Sequence, residues 1–166
     1  MLLQLKPLFL GEKDVVDVDA VLDFSDVEWS GTRPFPHPVL VKGQVSYQAG
    51  VVTLRATADT VWEGVCDRCA APVSKPYRQR IEHVLITSAE DGEDEELVLL
   101  DQFQLPLDAV VRDDLILRLP SKTLCRPDCK GLCPQCGQDL NQGPCHCCTQ
   151  TIDPRLEILK NWMNQK

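Results

Sequence analysis

Apolar and polar residues alternate strictly across residues 15–24, VVDVDAVLDF. Val16, Val18, Ala20, Leu22 and Phe24 share one face, and Asp17, Asp19 and Asp23 the other. Period two with one polar face predicts a strand in a half-buried sheet. GTRPFPHP (31–38) reads as a loop, because its three prolines remove three backbone donors. Val39, Val41, Val45 and Tyr47 alternate next, then a turn at Gln48-Ala49-Gly50. Val52, Leu54, Ala56, Ala58 and Trp62 follow on one face. Together these predict an antiparallel hairpin with a long second strand. That strand runs into CDRC (66–69). After a turn at Ala71-Pro72, residues 77–87 read as a further strand, and ELVLLD beyond them as a short one.

The period then changes. Leu107, Val111, Leu115 and Leu119 recur every four residues between Pro106 and Pro120, with Val110 beside them. This predicts an amphipathic helix laid on the sheet. At the C-terminus, Asp153 and Pro154 suit a helix cap and first turn, with Leu156, Leu159 and Met163 as its apolar stripe. The expected architecture is α+β. An antiparallel β-rich domain over 1–120 carries one or two packed helices. A cysteine-rich, metal-binding segment over 121–166, knuckle- or ribbon-like, ends in the C-terminal helix.

Charge narrows the partners. The 166-residue chain carries a net charge of −8, which repels phosphate backbones in bulk and favours a basic partner such as a ribosomal protein. Residues 89–97 hold six acids and read as a solvated loop. The N-terminus lacks signal-peptide character, and no run approaches a membrane span. A cytoplasmic location follows as the expectation, where thiols stay reduced.

In that setting nine cysteines, seven of them within 125–148, favour metal over disulfides. A segment so rich in Gly and Pro has no core of its own, and a structural zinc site supplies on the order of 10–16 kcal/mol of apparent binding energy. CPQCG (133–137) has knuckle spacing, with Gly137 letting backbone N–H groups turn toward the thiolates. Cys133, Cys136, Cys145 and one of Cys147 or Cys148 make a first site. His146 is a weaker substitute ligand. Cys66, Cys69, Cys125 and Cys129 make a second set of four if the predicted helix brings the chain back to the long strand. The competing arrangement places Cys125 or Cys129 in the first site and leaves CDRC free. The expected cofactor is thus one zinc ion, or two.

A redox CxxC needs a helix N-terminus to acidify its thiol. CDRC follows a strand and precedes APVSKP, so thiol oxidoreductase activity ranks low. No Ser/His/Asp signature, acid–base carboxylate pattern or Gly-rich phosphate loop appears. The chain reads as a non-enzyme without a small-molecule substrate. Arg68, Lys75, Arg78 and Arg80 flank one cysteine pair, and Lys122, Arg126 and Lys130 the other. Should the pairs meet, these cations form a basic patch suited to RNA phosphates. The plainer account is that they balance neighbouring acids.

These motifs, in this order, resemble a known family. CDRC after a long strand is followed by LP-x4-C (119–125), PDCKGLCPQCGQDLN (127–141), CHC (145–147) and DPRLEILK (153–160). From about residue 40 to the end, the chain resembles the YceD family, named for accumulation of large-subunit ribosomal RNA. The resemblance implies a non-catalytic cytosolic factor for maturation or accumulation of that RNA, acting in large-subunit assembly. Its direct contact would be ribosomal RNA or a precursor particle. The alternative is an adaptor that holds a basic ribosomal protein without touching RNA.

Overall fold

The computed structural model describes residues 1–88 and 97–147. Residues 89–96 of the acidic loop expected at 89–97 and the expected C-terminal helix lie outside those residues, as does Cys148. The main sheet has five strands in the order β2 (Val15–Leu22), β3 (Val39–Gln48), β4 (Val51–Val65), β5 (Pro72–Ile86) and β6 (Leu97–Leu99). All neighbours are antiparallel except β5 and β6, which run parallel. A second, two-stranded ribbon joins β1 (Leu2–Gln4) to β7 (Gln104–Pro106). A short helix α1 (Lys6–Phe9) follows β1, and α2 (Leu107–Leu117) follows β7. Among the described residues, no helix is long and apolar enough to cross a membrane.

Period two is realised in β2 as it was read. Val18, Ala20 and Leu22 are buried, while Asp17, Asp19 and Val21 face out. In β4, Val52, Leu54, Ala56, Ala58 and Trp62 all enter the core. Ala49 and Gly50 form the tight β3–β4 turn with φ of 51° and 87°, the two positive values a type I′ hairpin turn needs. Gly43 has a steric reason: a Cβ there would strike the Arg55 carbonyl oxygen and the Cα of Ala56 on the paired strand.

Three expectations need correction. Tyr47 does not continue the inward row of β3; it is exposed, and Ser46 is buried instead. A Tyr at the sheet rim keeps its hydroxyl wet while its ring covers apolar surface. The strand expected at 77–87 begins five residues earlier, at Pro72, so CDRC is the loop of one long β4–β5 hairpin. The first fourteen residues, given no element from sequence, supply β1 and α1, and their Leu5 and Leu8 are fully buried.

Helix α2 buries Leu107, Val111 and Leu115 against the sheet, as its four-residue spacing predicts. Two polar contacts pin it to β5. The Tyr77 hydroxyl donates to the Leu115 carbonyl at 3.1 Å. His83 Nε2 lies 2.9 Å from the buried Asp114 carboxylate. His83 is thus a structural residue, and α2 is oriented so that the chain leaves it toward the CDRC loop.

Candidate metal centres

The β4–β5 loop is shaped before any cation is considered. Cys66 N donates to Ala71 O at 2.8 Å and Ala70 N to Cys66 O at 2.8 Å, with Ala70 at φ 55°. This closes a tight turn that brings Cys66 and Cys69 to the same side. The segment after α2 then docks on that turn. Asp67 N donates to Thr123 O at 2.9 Å, and the Asp67 carboxylate accepts from Thr123 N at 2.6 Å. Leu132 N donates to Arg68 O at 3.0 Å. Gly131, at φ 78°, lets the chain pass here, since a Cβ would sit 2.9 Å from the Arg68 oxygen.

The result is a quartet of Cys66, Cys69, Cys125 and Cys129 whose sulfurs all lie within 4.8 Å of one another. The Cys66–Cys129 sulfurs are 3.8 Å apart and the Cys69–Cys125 sulfurs 3.6 Å. Four thiolates on one tetrahedral zinc, each at about 2.3 Å, stand about 3.8 Å apart, whereas a disulfide requires about 2.05 Å. The donor set and spacing fit zinc. Joining the CDRC pair to the Cys125/Cys129 pair is the arrangement that the long hairpin makes possible. The competing arrangement, with CDRC free, is not found.

A second quartet comprises Cys133, Cys136, Cys145 and Cys147, again within 4.8 Å. Its Cys133–Cys145 separation is 3.5 Å. The knuckle closes through Gly137 N to Cys133 O at 2.9 Å and Cys133 N to Gln138 O at 2.8 Å, with Gly137 at φ 73°. His146 does not join this group.

The electrostatics of both quartets call for a cation. Backbone N–H groups of Cys136 and Gln135, with the Cys145 thiol, bring the Cys133 thiol down to about 6. At Cys66, burial opposes ionisation, but backbone donors from Cys125, Arg68 and Cys69 outweigh it, again to about 6. Cys125 and Cys147 go the other way. Burial and the adjacent sulfurs push Cys125 up to about 12, and the Cys136 sulfur together with burial does the same to Cys147. Cys129 is lowered like Cys66: burial opposes its ionisation, but the Asn141 amide and the Gly131 N–H outweigh it. Each quartet thus favours ionisation at some sulfurs and resists it at others, because like charges at this spacing repel. A divalent cation removes that conflict.

Asn141 links the two centres and had no role in the sequence reading. Its side-chain amide donates to the Cys129 sulfur at 3.4 Å and to Asp139 at 2.7 Å. Its carbonyl oxygen accepts from Lys130 N and from Arg126 Nη2, each at 2.8 Å. The Asp-x-Asn turn after the knuckle thereby orients a sulfur of the other quartet, as outer partners do at metal sites. Only the position of this residue in the DLN string (139–141) hinted at it.

The seven cations do not form one patch in the way the sequence suggested. Arg68 Nη1 donates to Cys129 O at 2.6 Å and Lys75 Nζ to Leu124 O at 3.1 Å, so both clamp the docked segment. Arg126 stays beside the first quartet, held on Asn141 and 3.5 Å from Asp128. Lys122 and Lys130 are exposed on the same segment. Arg78 and Arg80 have opposite strand parity to Lys75 and project from the other face of β5. Arg78 pairs with Asp59, and Arg80 with Glu82 at 2.9 Å. For these two, balancing of nearby acids describes what the structure shows.

Comparison with known proteins adds a family. Residues 54–162 match the family described as large ribosomal RNA subunit accumulation protein YceD. Uncharacterized proteins of Mycobacterium tuberculosis and Mycobacterium bovis are each 37% identical to it over 109 residues, covering 63% of this chain and 51% of theirs. The chain thus spans about half the length of the curated relatives it matches. No solved structure matches it. The matched region begins in β4 and takes in the long hairpin, α2 and both cysteine quartets, and through it the chain belongs to the YceD family.

Proposed function

We propose that this protein is a non-catalytic, cytoplasmic factor for the accumulation of large-subunit ribosomal RNA, and that two zinc ions hold its C-terminal part in shape. One observation carries the reading: eight cysteines from three separate stretches of chain assemble into two quartets with tetrahedral spacing, inside the region that matches the family. Cys66, Cys69, Cys125 and Cys129 hold one ion, and Cys133, Cys136, Cys145 and Cys147 the other. The first ion ties the tip of the β4–β5 hairpin to the segment after α2. Exposed Lys122, Arg126 and Lys130 then stand on a rigid surface beside it, suited to ribosomal RNA or a precursor particle. Against a thiol oxidoreductase, CDRC follows a strand, and both its sulfurs already face cysteines of the other segment.

The test has two readouts. Protein purified without chelator is expected to carry two zinc ions per chain, with C66S/C69S and C133S/C136S each losing one. Lys122→Glu with Lys130→Glu is expected to keep both ions yet lose salt-sensitive recovery of large-subunit RNA from extracts. Metal-free native protein sinks the structural half. RNA recovery untouched by the double charge reversal sinks the contact.

A further inference from the structure

The outer edge of the sheet offers a second interaction surface, far in sequence from the cysteines. Among the described residues, strand β2 is terminal in the sheet and pairs only with β3. Among the described residues, the backbone of 15–22 bonds to nothing else. In an antiparallel pair every second residue turns its N–H and C=O away from the partner, so β2 presents a row of free donors and acceptors. The same stretch concentrates charge. Residues 12–28 contain seven carboxylates and one lysine, a net −6 in a chain of −8. Asp17 and Asp19 stand exposed on the outer face of the edge, and Lys42 Nζ lies 3.9 Å from the Asp19 carboxylate. On the inner face of β2, Val16 is half-buried beside buried Val18 and Ala20.

We infer that β2 takes an extended, lysine- or arginine-rich protein segment as a sixth strand. Backbone hydrogen bonds would supply the pairing. Strand alternation would set basic side chains against Asp17 and Asp19 and apolar ones alongside Val16. Charge selects this occupant. A second copy of the chain would bring the same acidic edge, and RNA would bring phosphates; both are repelled. The site is separate from the proposed RNA contact, so either can fail alone.

The probe is a labelled octapeptide of alternating lysine and valine, tested on the full zinc-loaded chain by fluorescence anisotropy and by hydrogen exchange. Peptide is expected to protect the amides of residues 15–22. Methylating alternate peptide nitrogens, which removes backbone donors and keeps the charge, is expected to weaken binding by about tenfold or more, the loss of roughly 1.4 kcal/mol. D17K/D19K changes two exposed side chains and is expected to weaken binding to a similar extent while retaining both zinc ions and RNA recovery. Equal binding of the methylated peptide means charge attraction without strand addition and overturns the proposal. So does protection outside β2, or a peptide-free dimer protected at β2.

Discussion

Replacing Asn141 by alanine is expected to tell the two proposed zinc sites apart. The substitution removes the donor to the Cys129 sulfur and the acceptor shared by Lys130 N and Arg126. Among the described residues, it touches no sulfur of the Cys133 quartet. Removing such an outer partner typically weakens metal binding about 10- to 100-fold, or roughly 1.4–2.8 kcal/mol. Independent counting agrees. Four side-chain bonds are lost, to the Cys129 sulfur, Asp139, Lys130 N and Arg126, and at a net of about 0.5–1.5 kcal/mol each they cover that range once water restores some. The expected outcome is therefore selective: one zinc of the two leaves more easily. Competition with a chromophoric chelator reads this directly, because the two ions are withdrawn in resolvable steps. Asn141→Asp is the sharper variant. It keeps the acceptor for Lys130 N but sets an anion against the Cys129 thiolate, so the loss at this site should equal or exceed that of alanine. Equal retention of both ions in the alanine variant would show that Asn141 only fills space, and would refute the coupling.

Two further predictions follow from the geometry. Zinc retention should hold at alkaline and neutral pH and decline as pH falls through about 6, where Cys66 and Cys133 take up protons. The sign follows from their lowered values: the two thiolates persist below the ordinary thiol range, and their contribution, full above that range, is lost as pH falls through about 6. Dialysis at graded pH with metal analysis checks this, and release beginning above neutrality contradicts it. Gly43→Ala should destabilise the sheet by at least about 1–3 kcal/mol, because the added methyl group meets the backbone of β4 at Arg55 and Ala56. Denaturant unfolding of the variant measures it, and an unchanged midpoint means that β3 and β4 are farther apart than described.

Local pattern settled the elements whose periodicity was unambiguous. Val18, Ala20 and Leu22 in β2, the apolar row of β4, and Leu107, Val111 and Leu115 in α2 are buried as read, because burial of one face leaves its period in the chain. The knuckle at Cys133–Gly137 was legible too, since two-residue spacing and a glycine are local requirements of a metal turn. Other features left no such trace. Residues 1–14 were silent because Leu5 and Leu8 are buried in a core shared with residues remote in sequence. Sequence could pair Cys66 and Cys69 with Cys125 and Cys129 only conditionally. The condition was met by the start of β5 at Pro72 and the bonds between Asp67 and Thr123, which are long-range facts. Strand parity sent Arg78 and Arg80 to the face opposite Lys75, which clustering along the chain could not reveal. The sequence by itself determined which residues can grip a cation and which faces are apolar, since those are properties of side chains and their spacing. Tertiary structure decided which cysteines gather into one quartet and which cations stand free, because both depend on how distant stretches of backbone are brought together.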